Sequence, residues 1–358
     1  MSDYEVKWER RNRFNLKSLS DNAKIHFIAL GGIGMSALAR ILQKAGYRIS
    51  GSDLTKNHLM EYFEGQGAEV YVGHSADNIA GCDVVVKSSA IKDDNPELVK
   101  AQDSGVRVIH RAELLNAMLR DMDKFAIGVT GTHGKTTTTG MITTILQKSG
   151  HAPSYAIGGE IPALKTNSDY GNGKYFVAEL DESDGSIELY APNITVVTNL
   201  EHDHADYYKD GMAQLLETMH RFSGALPENA KIVINIDNEG NRTFIKQYNC
   251  RPENFCPRVI ITDSGQTKHI AQCHERFVTF AIDNRLVADY SAEITETAPN
   301  ASFKAYRKAE YLGEINLKIP GTHNVYNALA AIAACMEAGI DFKAISKALS
   351  DFTGMKKR

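Results

Sequence analysis

Five cysteines in 358 residues are an odd number, and none of them forms a CxxC pair. That excludes a disulfide framework and points to a reducing compartment. Cys250, Cys256 and Cys273, with His269 and His274 close by, leave two readings: a zinc site of irregular spacing, or free thiols in a surface insertion. No apolar run approaches the roughly 20 residues a membrane-crossing helix needs, so no membrane insertion is expected. The opening MSDYEVKWERRNRF lacks the apolar core of a secretory signal, which predicts a cytoplasmic protein. Charge of one sign is lacking too: 40 Lys and Arg stand against 44 Asp and Glu, a net −4. That balance gives no reason to expect nucleic acid as a partner, and the basic cluster Lys7, Arg10, Arg11, Arg13 and Lys17 reads as a solvated N-terminal extension over residues 1–20. Nothing in the sequence sets an oligomeric state. The length predicts two or three domains.

What the chain does have is glycine where strands end. In IALGGIGMSALARIL, residues 28–42, an apolar run breaks into Gly31, Gly32 and Gly34, and then Met35, Leu38, Ala39, Ile41 and Leu42 recur at helical spacing. Strand, tight turn and helix make an anion site, because the turn lets backbone approach a phosphate and the helix start offers free N–H groups. Gly32, Gly34 and Ala37 meet the relaxed dinucleotide fingerprint, and Asp53 stands where a ribose-binding acid would. A dinucleotide, another phosphate ligand and plain turn chemistry all stay open on this stretch alone.

Further along, strand-like runs alternate with helical patterns, the mark of a mostly parallel sheet with ligands at the carboxyl ends of its strands. Three consecutive runs end in chemistry. KFAIGVTGTHGKTTTTGMITTIL, residues 124–146, has Val129 where a standard phosphate loop needs glycine, so it is a shorter G-x-x-G-K-T form. Its N–H groups would nest phosphates, Lys135 would neutralise them and the Thr136 hydroxyl would reach Mg²⁺. KYFVAELDESDGS, residues 174–186, gathers Glu179, Asp181, Glu182 and Asp184, a crowding of like charge that a bound cation or open solvent would relieve. NITVVTNLEHDHADYY, residues 193–208, runs into His202, Asp203, His204 and Asp206, ligands suited to a metal. Read alone, that last loop also fits a metal-dependent phosphohydrolase or ordinary polarity. The three together point to ATP with Mg²⁺.

From about residue 24 to its end the chain resembles the Mur ligases. The resemblance is carried by GGIGMSALA, SGSD, VVVKSSAI, NPEL, HRAELL, GTHGKTTTT, AELDESDGS, TNLEHDHADYY and PGTHNVYNALAA, in family order. It implies an α/β protein: a Rossmann-like UDP-sugar domain over residues 21–122, then a central P-loop-type ATPase domain over residues 123–358 with a mostly parallel sheet. It turns the opening loop away from nicotinamide. Gly31, Gly32, Ile33, Gly34, Met35 and Ser36 would cradle the diphosphate of a UDP-sugar, with Asp53, His74, Ser88, Ser89, His110 and Arg111 along the same cleft. In the second domain Gly131, Thr132, His133, Gly134, Lys135, Thr136 and Thr137 would hold ATP phosphates, and His323, Asn324 and Asn327 would stand on its adenine side. Without the family, that last stretch reads as a turn and a capped helix start. Thr136, Glu182 and His204 would ligate Mg²⁺, with Lys135, Glu182 and His204 at the chemistry.

The implied reaction is ATP-driven amide formation. The likeness is greatest to the branch that joins L-alanine to the lactyl carboxylate of UDP-N-acetylmuramate through an acyl phosphate, the first amino-acid addition of peptidoglycan synthesis. A recycling branch that attaches a preformed tripeptide to the same sugar is the alternative, disfavoured by DESDGS, SSAI and HRAELL. Folylpolyglutamate synthetases share the phosphate-loop logic but neither His133 nor the first domain. The family has a third domain, and the tail DFTGMKKR, with Lys357 and Arg358, resembles the hinge before it. The expectation is therefore a chain without the C-terminal ligase domain, one that binds UDP-sugar and ligates slowly or not at all alone, or a non-catalytic nucleotide-binding fragment.

Overall fold

The computed structural model describes residues 14–203, 205–249 and 275–356. Five parallel strands form the first sheet: β1 (Lys24–Ile28), β2 (Arg48–Asp53), β3 (Glu69–Val72), β4 (Val84–Lys87) and β5 (Arg107–His110), in spatial order β3-β2-β1-β4-β5. The order reverses between β1 and β4, and in such sheets that crevice is where ligands bind. Every residue of β1 is buried, as expected of a parallel strand covered on both faces. Helices α1 (Ile33–Lys44), α2 (His58–Gly65), α3 (Pro96–Asp103) and α4 (Arg111–Asp121) connect the strands and flank the sheet. Asn95 caps α3 ahead of Pro96, and a capping box between His110 and Glu113 starts α4.

Among the described residues the second domain holds ten strands. These are β6 (Phe125–Thr130), β7 (Ser154–Ile161), β8 (Thr166–Asp169), β9 (Tyr175–Glu179), β10 (Ile194–Val197), β11 (Lys231–Asn235), β12 (Phe277–Ala281), β13 (Tyr290–Glu296), β14 (Ser302–Arg307) and β15 (Glu310–Asn316). Their order is β15-β14-β13-β12-β11-β10-β6-β9-β7-β8. Pairing is parallel from β13 across to β7 and antiparallel at both margins. The helices are α5 (Lys135–Lys148), α6 (Met212–Gly224), α7 (Glu239–Asn249), α8 (Thr322–Glu337) and α9 (Phe342–Ser350). The alanine-rich α8 is buried along most of its length and packs on α5. Two buried threonines of α5 bond back within the helix: Thr139 donates to the Lys135 carbonyl at 2.8 Å and Thr144 to that of Gly140 at 2.8 Å.

The two domains share one core. A continuous apolar cluster runs from Phe27, Leu38 and Met118 of the first into Phe176, Leu180 and Tyr190 of the second. Helix α1 lies against β7 and β8, where Lys44 pairs with Asp169 and Arg40 with the Thr166 hydroxyl. The segment expected in solvent at the N-terminus is packed from Phe14 onward. Phe14 and Leu16 are buried, Arg120 donates to the Phe14 carbonyl at 2.6 Å, and Lys17 pairs with Asp123 at 2.7 Å. Apolar Phe14 and Leu16 outweigh the basic residues around them. Lys7, Arg10, Arg11 and Arg13 lie outside the described residues.

Candidate active site

Every residue expected at a nucleotide-sugar site stands at the carboxyl edge of the first sheet. The β1 turn enters α1 with Gly32 as N-cap, leaving helix N–H groups at the crevice. Gly31 is needed for close approach: a Cβ there would lie 2.8 Å from Asp53 Oδ2 and 2.7 Å from Asn57 Nδ2. Those atoms hold the turn, Asp53 accepting from the Gly31 N–H at 3.0 Å and Asn57 donating to the Gly31 carbonyl at 3.0 Å. Asp53 therefore braces the turn. Gly34 would meet nothing, Ile33 is exposed, and Met35 points into the core, so Met35 offers only backbone to the crevice. The buried Ser36 hydroxyl donates to the Ile33 carbonyl at 3.1 Å.

His74 follows β3, with Nδ1 3.0 Å from Glu97 Oε2 and 3.0 Å from the Ser52 hydroxyl. Glu97 has no exposed surface. Burial alone would raise its pKa, but the His26 imidazole 3.6 Å away and hydrogen bonds from Ser52 and Asn78 outweigh it and hold the carboxyl at about 2. Ser88 and Ser89 follow β4, His110 ends β5 and Arg111 begins α4. His110 Nδ1 accepts the Ala112 N–H, so its Nε2 carries the proton and donates to Ser89 at 3.0 Å.

In the second domain, β6 empties into a tight curl. Gly131 and Gly134 take φ of 124° and 86°, which only glycine adopts freely, and a Cβ on Gly131 would also lie 2.7 Å from the Asn199 carbonyl. Inside the curl the Lys135 ammonium donates to the Gly131 carbonyl at 2.6 Å, the Thr132 carbonyl at 3.3 Å and Glu182 Oε1 at 3.0 Å. Thr136 donates to Glu179 at 3.0 Å, and the Gly158 N–H reaches the same carboxylate at 2.8 Å. Glu182 is 1% exposed, with Thr130 donating at 3.4 Å and the Tyr208 hydroxyl on its carbonyl. Burial raises its pKa despite Lys135. Across the curl, Asn199 pairs with His133 backbone in both directions, accepting the N–H at 2.8 Å and donating to the carbonyl at 2.9 Å.

Two clefts open from this loop. One, of about 540 Å³, is lined by His133, Gly134, Thr137, Asp237, Tyr326 and Asn327 among others. The second, of about 520 Å³, runs past Thr136, Gly158, His323, Asn324 and Lys356. Thr137 and His323 stand between them. Asn327 accepts from the Thr138 hydroxyl at 3.2 Å and donates to Asn324 at 3.3 Å, tying the start of α8 to α5. Asp237, after β11, was not singled out from the sequence. It accepts the Tyr326 hydroxyl at 2.9 Å and the N–H groups of Ile282, Asp283 and Asn284, so one carboxylate shapes the far wall. Its signal was present in VINIDNEG, a fourth buried strand ending in a polar loop.

The acidic loop is resolved into pairs. Asp181 and Asp184 face Arg111 and Ser89 of the first domain, while Glu179 and Glu182 face the phosphate-binding curl. Thr136, Glu179 and Glu182 offer hard oxygen donors, a set that suits Mg²⁺ when phosphate and water complete its shell. Among the described residues no three His, Cys, Asp or Glu side chains converge as a metal cage. His202, Asp203 and Asp206 are exposed after β10. His204 lies outside the described residues, as do Cys250, Cys256, Cys273, His269, His274, Lys357 and Arg358. No helix among the described residues is long and apolar enough to cross a membrane.

Residues 24–122 match the model of the Mur ligase family, catalytic domain, and residues 129–256 and 258–335 that of the Mur ligase middle domain. The UDP-N-acetylmuramate–L-alanine ligase of Geotalea uraniireducens is 42% identical over 94% of this chain and 67% of its own length. That of Geobacter sp. strain M21 is 41% identical over 94% and 66%. The chain thus spans about two thirds of the length of the curated relatives it matches. A crystal structure of UDP-N-acetylmuramate-alanine ligase from Thermotoga maritima superposes with a TM-score of 0.76 at 29% identity, covering 94% of this chain and 70% of that one. The UDP-N-acetylmuramate:L-alanyl-γ-D-glutamyl-meso-diaminopimelate ligase from Neisseria meningitides superposes with a TM-score of 0.78 at 25% identity, covering 94% and 100%.

Proposed function

The chain belongs to the Mur ligase family, and from that premise we propose that it carries the nucleotide-sugar and ATP sites of an enzyme that joins L-alanine to UDP-N-acetylmuramate. The observation that carries this reading is Lys135 held inside a glycine curl, against buried Glu182, where the curl's His133 and Gly134 line a cleft together with His323, Tyr326 and Asn327 of α8. The alanine branch is favoured over the tripeptide branch by the 42% and 41% identities of the curated alanine ligases and, among solved structures, by 29% identity against 25%.

In this reading the carboxyl edge of the first sheet binds the UDP part, with its diphosphate on the N–H groups of the Gly31–Ser36 turn. His74, Ser88, Ser89, His110 and Arg111 line the path of the sugar, and Asp53 keeps the turn in shape. ATP phosphates lie on the backbone of residues 131–137, and the adenine side rests near His323, Asn324 and Asn327. The lactyl carboxylate oxygen attacks the γ-phosphorus, the bond to ADP breaks, and Lys135 stabilises charge on the transferred group. The L-alanine amine then attacks the acyl carbon and phosphate leaves as the amine loses its proton. Thr136, Glu182 and His204 would hold Mg²⁺, which when bound neutralises phosphoryl charge. The shared core of the two domains holds the reactants in line.

The test is ligation of labelled L-alanine to UDP-N-acetylmuramate with ATP and Mg²⁺, beside a Lys135→Ala control. Product that vanishes in the control is the expected result. Product that survives Lys135→Ala, or an unaltered chain that gives no product and binds neither UDP-N-acetylmuramate nor ATP, would overturn the proposal.

A further inference from the structure

The four acids of ELDESDG face two ways, and the division has a simple geometry. Asp181 uses Oδ1 to accept the Ser183 N–H at 3.1 Å and Oδ2 to accept Arg111 Nη2 at 3.0 Å. Asp184 repeats the arrangement, with Oδ1 on the Ser186 N–H at 3.0 Å and Oδ2 on the Ser89 hydroxyl at 3.0 Å. Each aspartate thus pins its own loop with one oxygen and grips the first domain with the other. Arg111 also stands 4.0 Å from Asp184, and His110 donates to the same Ser89. Between the two aspartates sits Glu182, the buried partner of Lys135.

We propose that Asp181 and Asp184 are positioning residues that fix the Glu182 loop against the first domain, so that Arg111 and Ser89 help shape the phosphate site of the second. The inference rests on reading that loop as the nucleotide phosphate site. Side chains at the sugar end of the first domain then bear on nucleotide binding before any sugar is present. A merely structural interface would show instead as a loss of stability with nucleotide affinity unchanged.

Asp181→Asn is the sharpest variant, because the amide keeps an oxygen for Ser183 and turns a donor towards Arg111. It is compared with Arg111→Met, the double variant and Arg111→Lys in the whole chain. Two readouts apply: affinity for the Mg²⁺ complex of a non-hydrolysable ATP analogue without sugar substrate, and hydrogen exchange of the Ser183 and Ser186 amides. Asp181→Asn and Arg111→Met should each weaken the analogue about tenfold, the worth of one charge-assisted hydrogen bond. The double variant should be no worse than the weaker single, Arg111→Lys should retain most of the affinity, and both amides should exchange about tenfold faster in Arg111→Met. Unchanged exchange in Arg111→Met, or single effects that add in the double, would overturn the proposal. If the unaltered chain bound no analogue, the nucleotide reading would fail separately, and the exchange would still decide whether Arg111 holds the loop.

Discussion

The molecule uses one local design twice and gives it two kinds of work. Both the Gly31–Ser36 turn and the Gly131–Thr136 curl join a buried parallel strand to a helix N-terminus. The first contains no cation and is braced from outside by Asp53 and Asn57; the second closes around the Lys135 ammonium. Each domain also buries a carboxylate, and the two pKa values move in opposite directions. Glu97 is surrounded by donors and stays charged at about 2, whereas burial pushes Glu182 up even with Lys135 3.0 Å away. Strand, turn and helix make an anion site; what stands opposite decides whether that site binds or also carries chemistry.

The largest effect that separates the two loops is expected from Lys135→Ala. Ligation should fall at least ~1000-fold, as for loss of a principal transition-state charge, with UDP affinity unchanged in a binding titration. Glu97→Gln should mark the first domain as the one whose buried acid is structural. Its folded pKa of about 2, against an ordinary 4.5, means the stabilisation is complete above pH 4.5 and lost as pH falls through about 2. Of order 3 kcal/mol should therefore be missing in Glu97→Gln at pH 7, with the gap closing towards pH 2 in denaturant melts. Gly131→Ala should cost about 1–3 kcal/mol of stability, since its φ of 124° and its contact with the Asn199 carbonyl both oppose a side chain. Gly34→Ala should leave stability within about 0.5 kcal/mol and reduce UDP affinity, because only a ligand would meet its methyl group. Asp53→Asn should change UDP affinity only a few-fold, because an amide oxygen can still brace Gly31.

Much of this was legible in the chain because parallel α/β folds write ligand sites at strand ends. GTHGKTTTT placed the curl, whose lysine and threonine bond the acids Glu182 and Glu179 of AELDESDGS. Hidden from the sequence was the direction in which each acid faces. Asp181 and Asp184 differ from Glu182 only by one or two positions, and their partners Arg111 and Ser89 lie 70 and 95 residues away. Asp53 stands at the spacing of a ligand contact, and what spacing could not show is that one of its oxygens also bonds the glycine turn. Phe14 and Leu16 were masked by the charges around them, since two apolar residues have no periodicity to read.

A division of the substrates between the two loops, as proposed, makes UDP binding and ATP binding separable by mutation. The most direct test is calorimetric titration of UDP and of a non-hydrolysable ATP analogue with Mg²⁺ into the unaltered chain, Gly34→Ala and Lys135→Ala. Gly34→Ala should weaken UDP alone and Lys135→Ala the ATP analogue alone. A Lys135→Ala chain that loses UDP, or a Gly34→Ala chain that loses the ATP analogue while keeping UDP, would contradict it.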